Sequence, residues 1–168
     1  MHKINHHRRA LTLIEVVAST MIVGLMSVAA LDGLGAATRS AESIGNRAIA
    51  LGLADDLMAE ILPLAYSDPN DTPAFGTEGS EASGPRSGFD DVDDFNGWTQ
   101  MPPTTRDGVI IPNRADWRRS VLVVRVVPTN LAQATSGTSD QGAKRIRVTV
   151  EYRGQLLATQ IAVRTDNK

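Results

Sequence analysis

Three sets of side chains in this sequence have the types and spacing to do chemistry. Glu15 is the single charge in the apolar run Leu11–Leu31, LTLIEVVASTMIVGLMSVAAL. A carboxylate costs about 2.5–3.5 kcal/mol at the centre of a membrane helix, less near the interface, and marks a specific partner. Asp90, Asp91, Asp93 and Asp94 fall within five positions, and their oxygens suit Ca²⁺. The spacing is not that of an EF-hand loop, and a solvated turn pinned by Phe89, Phe95 and Trp98 is the preferred reading. Arg145 and Arg147, with Arg125, fall on strand patterns, where a basic face can meet DNA, an acidic partner or water.

Other chemistries are excluded by composition. The chain has no cysteine, which removes disulfides, thiol nucleophiles and Cys-ligated metals. Its three histidines, His2, His6 and His7, all precede the apolar run. No phosphate-binding glycine loop is present, and no Ser/His/Asp set is readable, so an enzyme is not expected. Aromatic residues make up 4%, too few for a base-stacking platform.

The net charge of −2 over 168 residues conceals a strong polarity. Residues 1–10 carry +3, residues 11–65 carry −4, residues 66–116 carry −7 and residues 117–168 carry +6. A basic start, an apolar run, an acidic middle and a basic end suit a tethered protein. The 21 residues Leu11–Leu31 would span about 31 Å as a helix, roughly one bilayer core. Lys3, Arg8 and Arg9 would hold the N-terminus in the cytoplasm and leave the rest exported. A cleaved signal peptide ending near Val28-Ala29-Ala30 and an uncut anchor are the plain alternatives, but neither gives Glu15 a role.

The string Arg8-Arg9-Ala10-Leu11-Thr12-Leu13-Ile14-Glu15-Val16 resembles the type IV prepilin signal. In that family a basic leader ends in a small residue, followed by a hydrophobic residue, Thr, Leu, Ile, Glu and Val. The resemblance implies that a prepilin peptidase cuts between Ala10 and Leu11 and methylates the new amine of Leu11. Glu15 would then draw the subunit into a filament by pairing with its own amine or a neighbour's. Ala10 stands where Gly is usual, and Leu11 where Phe is usual. The segment Asp91-Val92-Asp93-Asp94-Phe95-Asn96-Gly97-Trp98 also resembles part of minor pilins related to pilus-modification proteins and mannose-sensitive-haemagglutinin-type pili.

The elements that must position these residues follow from periodicity. The first proline is Pro63, so the helix can run on to Leu62, with Gly33-Leu34-Gly35 the place most prone to bend or fray. Its upper part is amphipathic, with Ile44, Ala48, Leu51, Leu53, Leu57, Ile61 and Leu62 as the apolar stripe. Ser67–Gly88 is the least ordered stretch by composition. Arg119–Val127, Lys144–Tyr152 and Gln155–Arg164 read as an antiparallel meander. Its inward residues are Ile146, Val148, Val150 and Tyr152, then Leu157, Ile161 and Val163; Arg153-Gly154 makes a tight turn. Thr129–Gly142 reads as a polar loop, and Val109-Ile110-Ile111 as a candidate edge strand.

The expected fold class is α+β: a long N-terminal helix on a small antiparallel sheet, the architecture the resemblance also implies. Residues 1–10 form the leader, 11–31 the membrane and assembly helix, and 32–62 the amphipathic upper helix. Residues 63–118 form the acidic loop-rich region and 119–168 the sheet of the head. The expected function is a minor pilin or minor pseudopilin of a type IV pilus or type II secretion system. Its expected partners are other such subunits, the peptidase and the inner membrane, with nucleic acid unlikely. The alternatives are an anchored binding module, with calcium as its one candidate cofactor, and a competence pilin that binds DNA.

Overall fold

The computed structural model describes residues 12–68, 75–77, 81, 84–135 and 139–166. The leader, Ala10, Leu11 and much of Ser67–Gly88 lie outside these. The chain divides into two compact units, Met1–Ile44 and Gly45–Lys168.

One α-helix, α1, runs Leu13–Ile61 without interruption. Gly33 and Gly35 do not break it. A helical glycine costs only about 1 kcal/mol relative to alanine, and the intact hydrogen-bond ladder absorbs that. In the first unit every side chain from Leu13 to Leu34 is exposed. An 18-residue window of α1 reaches a mean hydropathy of 2.0, so the helix is long and apolar enough to cross a membrane.

In the second unit α1 packs on a five-stranded antiparallel sheet, giving an α+β arrangement. The buried stripe is Ala50, Leu53, Ala54, Leu57, Met58 and Ile61, at i, i+3, i+4, i+7, i+8 and i+11. It corrects the stripe expected from sequence: Ile44, Ala48, Leu51 and Leu62 are exposed. The alanines decide the rotation, because Ala50 and Ala54 let the helix approach the sheet more closely than leucines would.

The strands are β1 (Thr99–Gln100), β2 (Trp117–Val127), β3 (Asn130–Ala134), β4 (Ala143–Tyr152) and β5 (Gln155–Thr165). They pair in the order β1-β2-β4-β5, with β3 folded back on the end of β2. Trp117, Val121 and Val123 from β2 and Ile146, Val148 and Val150 from β4 face the helix. The β4–β5 turn is Arg153-Gly154, with φ of 50° and 79°, the left-handed pair that a two-residue hairpin requires.

Three expectations about the sheet are corrected. β3 lies inside the expected polar loop. All five of its residues are exposed, so it has no buried face and no alternation to reveal it. Val109-Ile110-Ile111 forms no strand; Ile110 makes only an isolated bridge to Thr104. On β5 the inward residues include Ala158 and Ala162, opposite Val150 and Ile146, while Ile161 pairs with Arg147 on the other face and is 57% exposed. A register shift at Val150/Glu151 leaves Leu157 as the extra residue, and one inserted residue exchanges the faces of every position beyond it.

Candidate functional site

The four aspartates form a compact turn, and its carboxylates are spent largely on backbone amides. Asp91 Oδ1 accepts from the N–H of Asp93 at 2.7 Å and of Asp94 at 3.2 Å. Asp94 Oδ2 accepts from the N–H of Asp90 at 3.0 Å and of Asp91 at 3.1 Å. These bonds hold the 3-10 turn Asp93–Phe95 in place. Lys144 of β4 donates to Asp93 Oδ1 and to the Tyr66 carbonyl, with its ammonium 4.3 Å from the centre of the Tyr66 ring. Reciprocal bonds between Ala65 and the turn, 3.2 Å to Asp90 O and 3.1 Å from Val92 N–H, tie it to the chain beyond α1. Phe89 and Phe95 pack edge-on with centroids 4.9 Å apart.

The preferred reading of a solvated turn is therefore corrected. Asp91, Asp93 and Asp94 are each 2% exposed, and only Asp90 is half-buried. The pinning aromatics were correctly anticipated; the burial they impose on the carboxylates was not. Burial, then the charges of Asp93 and Asp94, pushes the Asp91 carboxyl up to about 7.

The four aspartates do not converge as one ligand set. Asp90 and Asp94 instead meet Glu81, and one oxygen from each of the three lies within 4.8 Å of the others. Sequence reading missed Glu81, since nothing in its Ser/Gly-rich surroundings sets it apart.

A second buried cluster was not anticipated. Glu60, from the last turn of α1, receives Arg86 Nε at 2.9 Å and Nη2 at 3.1 Å. Arg86 also donates to Thr104 Oγ1 at 2.9 Å and Thr104 O at 2.8 Å, and Arg119 of β2 donates to the same carbonyl. The Arg86 and Arg119 guanidiniums stand 5.2 and 5.9 Å from the centre of the Trp98 ring. Arg119 Nε is buried without a partner. Burial, then the neighbouring Arg86 charge, pulls the Arg119 guanidinium down to about 10. A β-strand arginine reads as surface in sequence, so only the cross-sheet packing could expose this cluster.

The expected basic face is split. Arg125 pairs in register with Lys144 and lies on the inward side, whereas Arg145 and Arg147 alternate with Lys144 onto the outer side. Arg125 stacks 4.4 Å over Phe75 and approaches Asp140 Oδ2 at 3.6 Å. Arg145 is engaged too, donating to the Leu131 and Ala132 carbonyls of β3 at 2.9 and 3.0 Å.

At the start of α1, Thr12 caps the helix. Its carbonyl accepts from the N–H of Glu15 at 3.1 Å and of Val16 at 3.2 Å, and its hydroxyl lies 3.4 Å from the Glu15 nitrogen. Thr12 and Glu15 have the spacing of a capping box, and Glu15 sits in the first turn, where a carboxylate favours the helix dipole.

No family model, curated protein or solved structure matches this chain.

Proposed function

We propose that this chain is a prepilin-like structural subunit, a minor pilin or minor pseudopilin, rather than an enzyme. In this reading a prepilin peptidase cuts between Ala10 and Leu11, the helix stays in the inner membrane with the head exported, and Glu15 directs incorporation into a filament. The observation that carries the proposal is Thr12-Leu13-Ile14-Glu15-Val16 behind Lys3, Arg8 and Arg9, on a helix that is exposed from Leu13 to Leu34 and carries no charge but Glu15 as far as Leu31. An anchor needs the apolar surface; it does not need a carboxylate in the first turn.

The chemistry follows from position. Cutting before Leu11 creates an amine four residues, about one helical turn, ahead of Glu15. A charged amine beside hydrocarbon requires a counter-charge. The Glu15 carboxylate supplies one, either to its own Leu11 or to Leu11 of a subunit packed against it. Filament growth would then bury apolar helix surface against identical or related helices.

The decisive measurement is the N-terminus of the protein made in its own cells, by intact mass and terminal sequencing. A methylated Leu11 start is expected. A Met1 start with the peptidase present would overturn the proposal and leave an anchored module. A start beyond Ala30 would mean an ordinary signal peptide.

A further inference from the structure

We propose that Glu81, Asp90 and Asp94 bind a calcium ion, a site independent of whether the chain assembles into a filament. The three carboxylates come from two separate segments, and one oxygen from each lies within 4.8 Å of the others. Oxygens this close together can share one coordination shell with Ca–O distances of about 2.4 Å.

The second observation is the state of Asp94. Its side chain is almost wholly buried, at 2% exposure. Oδ2 is held at 3.0 and 3.1 Å by the amides of Asp90 and Asp91, which fixes the carboxylate rigidly. Oδ1 is buried and has no hydrogen-bond partner. A carboxyl oxygen that is desolvated and unpaired is unfavourable, and a cation at the cluster its carboxylate shares removes that cost. Lys144 does not serve here, because its ammonium is engaged by Asp93 and the Tyr66 carbonyl.

The remaining members of the aspartate run are not ligands in this site. Asp91 uses Oδ1 on two backbone amides and Asp93 is paired with Lys144. Their role is to shape the turn that presents Asp90 and Asp94. The donor set is all oxygen and carries three negative charges, which selects a hard divalent cation over zinc or copper. Calcium fits better than magnesium: carboxylates held by a folded turn cannot easily contract to a shell of about 2.0–2.1 Å radius, and calcium tolerates irregular geometry. Binding would fasten Glu81 to the turn at 90–94.

The test uses the full chain in detergent micelles, stripped with chelator, with thermal unfolding followed against CaCl₂ and, separately, MgCl₂. Wild type should gain about 5 °C or more in Tm when CaCl₂ is near a hundredfold over Kd. Asp94→Asn keeps an oxygen for the two amides but removes the free carboxylate oxygen, and should weaken calcium binding at least tenfold. Glu81→Gln alters a half-buried side chain, should weaken it similarly, and decides the matter should Asp94→Asn not fold. No calcium-dependent rise in wild type would overturn the proposal. So would a rise that survives both substitutions, or an equal rise with MgCl₂.

Discussion

The Lys144 ammonium of β4 is ion-paired to the Asp93 carboxylate, 51 residues earlier in the chain, with the two side chains only 1% and 2% exposed. The contact fastens the acidic turn to the inner side of the sheet. It explains how a segment with four aspartates in five positions can be buried at all: one charge is neutralised by Lys144, and others are met by backbone amides.

Removing one partner of that pair should be costly. Lys144→Met strands the Asp93 carboxylate in the interior and is expected to destabilise the head by about 3–5 kcal/mol. Asp93→Asn keeps an acceptor for the Gly76 N–H, 3.4 Å away, but strands the ammonium, at a similar cost. The double variant buries neither charge and should recover most of the loss. Urea unfolding of all four proteins gives the coupling energy; simple additivity of the two single effects would contradict a paired interaction.

Glu60 is the counter-charge for a pocket holding two guanidiniums, Arg86 and Arg119. Glu60→Gln should therefore cost about 3–5 kcal/mol, since Arg86 would be left buried beside a like charge. Arg119→Met alone removes a guanidinium with an unpaired Nε and is expected to lie within about 1 kcal/mol of wild type, or above it. Combined with Glu60→Gln it should restore part of the lost stability. Chemical denaturation at neutral pH checks the order: Glu60→Gln lowest, the double variant between, Arg119→Met near wild type.

Tyr66 and Asp140 should give stability a pH signature. The Tyr66 hydroxyl donates to Asp140 Oδ1 at 2.6 Å. Burial alone would raise the Asp140 carboxyl, but the Tyr66 and Gly142 hydrogen bonds and the Lys144 and Arg125 charges outweigh it and hold it below the usual carboxylate range. Burial, then the bond to and charge of Asp140 and the charge of Asp166, push the Tyr66 phenol well above its usual range, against Arg125.

A depressed carboxyl stabilises above its unfolded value of about 3.9, and that contribution is lost as pH falls below it. A raised phenol stabilises below its unfolded value of about 10, and that contribution is lost as pH rises beyond it. The advantage of wild type over Tyr66→Phe should accordingly be level between about pH 5 and 9 and shrink on both sides. Urea midpoints measured across pH 3–11 test this; a constant difference across the range would refute it.

Glu15→Ala tests the proposed function in the cell. The apolar helix is unchanged, so membrane insertion should proceed at the wild-type level, while incorporation into sheared or purified filaments should fall at least tenfold. Glu15→Gln should behave the same way, because charge rather than size is what the Leu11 amine requires. Wild-type incorporation of both variants would leave Glu15 with only its place in the capping of α1.

The sequence by itself determined the elements with strong periodic or local signals. The apolar run and the delayed Pro63 specify one long helix. Ile146, Val148 and Val150 specify a half-buried strand, and Arg153-Gly154 specifies the hairpin after it, because two left-handed residues fit a two-residue turn. The tertiary structure decided what such signals cannot carry. The bulge at Leu157 reversed the faces of β5, and β3 formed without any alternation because neither of its faces is buried. Four aspartates read as solvent-exposed because charge normally seeks water; Asp91, Asp93 and Asp94 are buried because Lys144, distant in sequence, and amides oriented by the turn replace that water. Pairing across 51 residues leaves no local pattern, so Lys144, like Arg119 in its own cluster, acquired its place only from tertiary packing.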